Sequence, residues 1–183
     1  MFGSFGIILL VGIQFALCIS LGRGLMTRDA KTTNLLYMGY AALTGFSFSS
    51  LFAVYSTGTL AAAFIFSAVL FFSMAIIGHM TNVDISKFSG LLMGGLIALV
   101  ITTLVSMFVP VLRDSLLISY IGIVIFLGLT AWDMQRIKQI YWQVGDSGTV
   151  GENMAVYGAF ELYLDFLNIF LYVLRILGNR RDN

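Results

Sequence analysis

The feature that most constrains this chain is a succession of six apolar stretches, each about as long as a bilayer is thick. They run over residues 2–21, 34–55, 59–79, 89–109, 116–135 and 153–177. A helix rises about 1.5 Å per residue, so some 20 apolar residues cross a hydrocarbon core of about 30 Å. In lipid, backbone N–H and C=O groups must be satisfied within the segment, which selects helices. The strict apolar–polar alternation of a membrane β-barrel is missing. Composition agrees. Hydrophobic residues make up 59% of the 183 and charged residues 10%, against about 25% charged in a soluble domain. Ten Lys/Arg and nine Asp/Glu cannot coat a soluble domain of this size, and a net charge of +1 offers no field for nucleic acid. The expected fold is all-α: a polytopic transmembrane helical bundle forming a single domain over 1–183.

Short polar segments separate the spans. Gly22 to Thr33 carries Arg23, Arg28, Asp29 and Lys31, and Thr81 to Lys87 carries Asp84 and Lys87. Pro110 to Ser115 holds the only proline, with Arg113 and Asp114. Lys138 to Glu152 reads as the longest loop, with Gly145, Gly148 and Gly151. Met1 to Leu21 has no basic leader and is too long for a typical signal core, so it reads as a true span. The basic residues after spans one, three and five number six against four on the other side, which weakly favours a cytoplasmic location for the first group. The small residues Gly39, Ala41, Ala42, Gly45, Ala61, Ala62, Ala63, Ala68, Gly90, Gly94 and Gly95 are where helices are expected to approach closely. Cys18 is the single cysteine, which excludes an internal disulfide and a cysteine-based zinc site.

Charges inside spans carry the most information, because each costs several kcal/mol at the bilayer centre unless paired or hydrated. In the last span Tyr157, Glu161, Asp165, Asn168 and Tyr172 are spaced four, four, three and four. That spacing puts all five on one helical face, and a polar stripe on an apolar helix should face the bundle interior or a wet cavity. Asp165 lies roughly 18 Å along the span, near the midplane. Asp133, near the end of span five, is the second candidate. Arg136 is one turn away, so a structural Asp133–Arg136 pair at the interface stands beside any functional reading. For Asp165 the structural alternative is a protonated carboxyl bonded to its neighbours. Glu161 reads as a supporting residue.

Both aspartates lie in the halves of spans five and six nearest their shared loop, with Asp165 expected about 10 Å deeper. If they meet in a dry interior they cannot both ionise freely. They would share one proton and titrate as a unit. Ionised, they offer hard oxygens suited to Ca²⁺, which makes Asp165 and Asp133 the candidate metal ligands.

Other signals are weaker. His79 at a span end reads as structural. Thr44, Ser47, Ser49 and Ser50 can line a path or bond back to their own helix. Gly145-Asp-Ser-Gly148 looks like a serine-protease motif, but the chain's one histidine is elsewhere and no soluble fold surrounds it. The GxGD pattern of intramembrane aspartyl proteases, the P-loop, the dinucleotide fingerprint and HExxH are all missing. No enzymatic activity is expected.

Gly128-Leu-Thr-Ala-Trp-Asp-Met-Gln-Arg-Ile-Lys138 resembles the penultimate-helix signature of the Bax inhibitor (transmembrane Bax inhibitor motif) family. Glu161-Leu-Tyr-Leu-Asp-Phe-Leu-Asn-Ile-Phe170 resembles its last-helix signature. A weaker match extends through the other spans and is closest to bacterial members, which implies a multi-pass protein of a bacterial plasma membrane. The resemblance implies a pH-sensitive Ca²⁺ leak channel of about seven helices. It gives Asp133 and Asp165 the role of a proton-sensing, gating pair, with Arg23 or Arg28 as a latch upon it. Six spans where the family has seven imply that the first family helix is lacking here. Calcium is then the transported ion and no resident cofactor is expected. The bilayer is the obligatory surrounding, while protein partners and oligomeric state are open. Two alternatives remain: a membrane-embedded partner that regulates a protease, channel or stress pathway without moving ions, and a proton-coupled cation exchanger using the same carboxylates.

Overall fold

The computed structural model describes residues 4–23, 29–106, 109, 115–144 and 148–179, and all regular structure among them is helical. In chain order the elements are α1 (Ser4–Arg23), α2 (Ala30–Ser49), α3 (Leu51–Val54), α4 (Thr57–Met80), a 3₁₀ turn (Ile85–Phe88), α5 (Ser89–Ser106), α6 (Leu116–Val144) and α7 (Gly148–Asn179). The stretches Lys31–Val54, Thr57–Met80, Ile85–Ser106 and Leu116–Gln143 are each long and apolar enough to cross a membrane. The first and last predicted spans fall within α1 and α7. The chain is a helical membrane bundle.

Local chemistry sets the helix ends. Asp29 caps α2 by accepting the N–H of Thr32 at 3.1 Å, and Ser56 caps α4 by accepting that of Thr59 at 3.2 Å. Each satisfies a backbone donor that the first helical turn leaves open. Span two is interrupted at Ser50. There the hydroxyls of Ser49 and Ser50 donate to the carbonyls of Phe46 and Ser47 at 2.6 and 2.7 Å, competing with the helical ladder. Gly148 takes φ +68°, a left-handed value that glycine adopts freely, at the entry to α7.

One expectation is overturned. Lys138 to Glu152 is not a long loop: α6 continues to Val144 and α7 begins at Gly148. Residues 145–147 of the protease-like motif lie outside the described residues, as do residues 110–114 of the proline segment.

Contacts group the chain into two compact units, each assembled from two stretches of sequence. The first is Met1–Val54 with Gln139–Phe160, and the second is Tyr55–Lys138 with Glu161–Asn183. In the first unit Gln14 donates from Nε2 to Thr44 Oγ1 and Ser47 Oγ at 3.2 and 3.3 Å, joining α1 to α2. Phe160 meets the rings of Tyr37 and Tyr40 edge-on at 6.0 and 5.0 Å. Within the second unit Ala63, Leu129, Ile169 and Leu174 are buried, and Phe64 and Phe71 pack edge-on against Phe166 at 5.5 and 5.7 Å. The outward surfaces of α4 and α5 are apolar, including Phe66, Phe72, Ile76, Leu91, Ile97 and Ile101, all more than half exposed. Lipid is the solvent that accepts such a surface.

Close helix approaches match the expected positions only in part. A side chain at Gly39, Gly45, Gly90 or Gly94 would meet nothing within 4 Å, whereas Gly95 is in tight contact with Ile125 as expected. Further tight contacts are made by Gly78, Gly122, Gly128 and Gly178. A Cβ at Gly78 would lie 2.7 Å from the Cα of Ala131, so α4 and α6 touch backbone to backbone two residues from Asp133.

Candidate functional site

Asp133 lies in the middle of α6 because that helix runs well past the predicted span end at 135. The residues that closed the span in hydropathy each find a partner in the second unit. Gln135 is 7% exposed. Its Oε1 accepts from Ile85 N at 2.9 Å and its Nε2 donates to the Val83 carbonyl at 2.8 Å. Lys138 Nζ donates to the carbonyl of His79 at 2.8 Å. Together they tie the α4–α5 turn to α6.

The expected offset does not keep the aspartates apart. Asp133 and Asp165, 7% and 4% exposed, face each other within hydrogen-bonding reach. Thr130, one turn before Asp133 and fully enclosed, is also within reach of Asp165, while its Oγ1 lies 2.7 Å from the carbonyl of Phe126. Its single hydroxyl proton can serve only one acceptor at a time. In the structure that proton goes to the Phe126 carbonyl. Oδ2 of Asp165 is enclosed and has no hydrogen-bond partner among the described residues.

Arg136 does not form the expected structural pair with Asp133. Its Nη1 donates to Glu161 Oε1 at 3.0 Å, and its guanidinium lies 5.9 Å from the ring centre of Trp132. Both members are partly open, at 42% and 18% exposure, which limits what the bridge contributes to stability. Antiparallel geometry explains the partner. Arg136 is one turn beyond Asp133 on α6 and Glu161 one turn before Asp165 on α7, so both lie on the same side of the aspartates. Sequence spacing contained that pairing once the two helices were taken as antiparallel. Nothing in the sequence marked Gln135 or Thr130, because their roles depend on which backbone lies opposite.

The polar stripe of α7 divides. Glu161, Asp165, Asn168 and Tyr172 belong to the second unit and Tyr157 to the first. Asn168 is half-buried and donates to its own helix at the Leu164 carbonyl, 2.8 Å away. Tyr172 packs its ring against Gly122 and reaches Thr103. Thr44 and Ser47 bond back to Tyr40 and Leu43, both at 2.9 Å, while accepting from Gln14. Arg28 lies outside the described residues, and of Arg23 only the backbone at the end of α1 is described. Among the described residues no three His, Cys, Asp or Glu side chains converge as a metal-binding set.

Apolar-surfaced helices around an enclosed carboxylate pair define a polytopic membrane protein with a titratable centre. The chain belongs to the Bax inhibitor family: the family described as "Inhibitor of apoptosis-promoting Bax1" matches residues 1–182. Its relatives include the inner membrane protein YbhL of Escherichia coli K12, 38% identical over 178 residues, 95% of this chain and 76% of the relative. The uncharacterized protein RP147 of Rickettsia prowazekii is 40% identical over 176 residues, covering 96% and 73% respectively. A protein of Borreliella burgdorferi is 37% identical over 180 residues, covering 98% and 78%. The chain is a multi-pass integral protein of the bacterial plasma membrane.

Proposed function

We propose that this Bax inhibitor family protein lets Ca²⁺ leak down its gradient along a path controlled by the protonation of Asp133 and Asp165. The observation that carries the reading is the meeting of these two enclosed carboxyls from neighbouring helices, with the Thr130 hydroxyl at hand. Two carboxylates so placed repel unless a proton or a cation stands between them. A proton joins them through one hydrogen bond, and a divalent cation joins them through their oxygens. Both compete for the same lone pairs, so occupancy by one excludes the other and cation passage depends on pH.

The donor set also suits transit better than storage. Ca²⁺ takes about 6–8 oxygens, and two carboxylates with one hydroxyl supply only part of that shell, leaving water to complete it. Conduction needs a site that binds well enough to admit the ion and loosely enough to release it. The Arg136 charge, one turn away, is held by Glu161 and so does little to repel a cation at the pair. The polypeptide supplies oxygens and a proton site, and performs no covalent chemistry in this reading.

The test is Ca²⁺ flux into liposomes holding the purified protein, measured across a pH series for the wild type and for Asp165→Asn. Wild-type flux changes with pH. The variant, with one ionisable member gone, loses that dependence. Unchanged pH dependence in Asp165→Asn overturns the mechanism, and stoichiometric proton counterflow replaces the leak with exchange.

A further inference from the structure

We infer that the Arg175 end of the second unit binds the phosphate of an anionic phospholipid headgroup. From the aspartate pair, α6 and α7 run in opposite directions to a second polar place. Gly122 meets the ring of Tyr172, where an added Cβ would lie 2.6 Å from the ring carbons. One turn further along each helix stand Ser119 and Arg175. Both hold an enclosed polar atom that lacks a hydrogen-bond partner among the described residues: Ser119 Oγ and Arg175 Nη2. Ser119 is 0% exposed. The other enclosed hydroxyls of this unit behave differently. Ser67 and Thr130 each donate to a carbonyl of their own helix at 2.7 Å.

Among the described residues Arg175 is in no ion pair. The described carboxyls of this unit are Asp84, Asp133, Glu161 and Asp165. The nearest along α7, Asp165, is ten residues away, or about 15 Å. The ion pair that the described residues of the unit form, Arg136–Glu161, lies beyond it. An arginine within a span calls for an anion, and its planar fork matches the oxygens of a phosphate. Position favours a lipid source. Arg175 is four residues from the end of α7, where headgroups lie, and it is half-exposed although Nη2 is enclosed. Phosphate oxygens would accept from the open edge of the guanidinium, beside Tyr172, whose hydroxyl Arg175 influences electrostatically.

The full-length protein, delipidated in neutral detergent, is titrated with short-chain phosphatidylglycerol, short-chain phosphatidylcholine and inorganic phosphate, with binding read by native mass spectrometry. Wild type retains phosphatidylglycerol in preference to phosphatidylcholine. Arg175→Gln lowers phosphatidylglycerol affinity by about tenfold, the worth of a charge-assisted hydrogen bond, and Arg175→Lys by less. Equal retention by Arg175→Gln, or equal retention of the two lipids by wild type, overturns the inference. Displacement of phosphatidylglycerol by equimolar inorganic phosphate overturns the headgroup assignment in favour of a free anion. If Arg175→Gln does not fold, the wild-type lipid preference and the Arg175→Lys affinity decide the matter.

Discussion

The two units handle polar groups in opposite ways. In the first, the groups linking α1 to α2 are neutral. Gln14 donates to Thr44 and Ser47, whose hydroxyls already donate to their own helix. Each hydroxyl is satisfied whether or not the glutamine is present. In the second unit the enclosed groups include two acids, Asp133 and Asp165, which interact with each other from different helices. Neutral bonding of the first kind contributes about 0.6 kcal/mol per interaction in membranes and holds one state. The acidic arrangement changes with each proton, so it can hold two. A membrane protein that needs only rigidity has no reason to bear the desolvation of two carboxyls, and the contrast points to the second unit as the responsive one.

The largest structural effect should come from disturbing the contact beside the acids. Gly78→Val would drive its side chain into the backbone of Ala131, and overpacking of this kind destabilises by about 1–3 kcal/mol. Thermal unfolding in detergent should show a clear drop. Gly39→Ala, in open space in the first unit, should leave the melting temperature within error. Equal effects from the two would contradict the contrast in packing.

Next comes Thr130→Val, which keeps shape and removes the hydroxyl. Hydrogen bonds to charged groups contribute about 1.5–3 kcal/mol, and one pH unit corresponds to about 1.4 kcal/mol. If the Thr130 hydroxyl turns from Phe126 to donate to an ionised Asp165, its loss disfavours that form. The midpoint of pH-dependent flux should move about one unit upward. A midpoint that stays in place would mean the hydroxyl serves Phe126 in both states.

Gln14→Leu should have a smaller effect, about 0.5–1 kcal/mol of stability, with flux and its pH dependence unaltered. A changed pH profile here would end the division of labour between the units.

How much of this could be read beforehand follows from the same contrast. The α7 spacing placed Glu161, Asp165 and Asn168 on one face, because helical periodicity is a local property. Asp133 was placed too near an end, because Gln135, Arg136 and Lys138 lower hydropathy just after it. The helix continues because each of these finds a partner: the 83–85 backbone, Glu161 and the His79 carbonyl. Those partners lie 25 to 59 residues away in sequence, beyond any local window. Glycine is legible only in part, as at Gly95, for a similar reason. Gly78 carries the closest helix contact without any motif, whereas Gly90 and Gly94, spaced like a packing motif, face open space. A glycine's role depends on what approaches it.

The smallest effect compares the same side chain in water. Asp29, an exposed carboxyl in the first unit, caps α2, and the hydrogen bond from Thr32 holds it below the usual carboxylate range, with Lys31 adding slightly. A depressed carboxyl contributes stability above its unfolded value of about 3.9 and loses it as pH falls through the folded one. Asparagine caps a helix about as well as aspartate and carries no charge. Asp29→Asn should therefore melt like wild type at neutral pH. Below the ordinary aspartate range it should lose less stability than wild type, by a margin that water keeps small. The enclosed aspartates have no such screening, so Asp133→Asn and Asp165→Asn should each reshape the pH–melting curve more than Asp29→Asn does. If all three variants gave the same curve, burial would not distinguish the two kinds of carboxyl, and the second unit would lose its claim to be the responsive half.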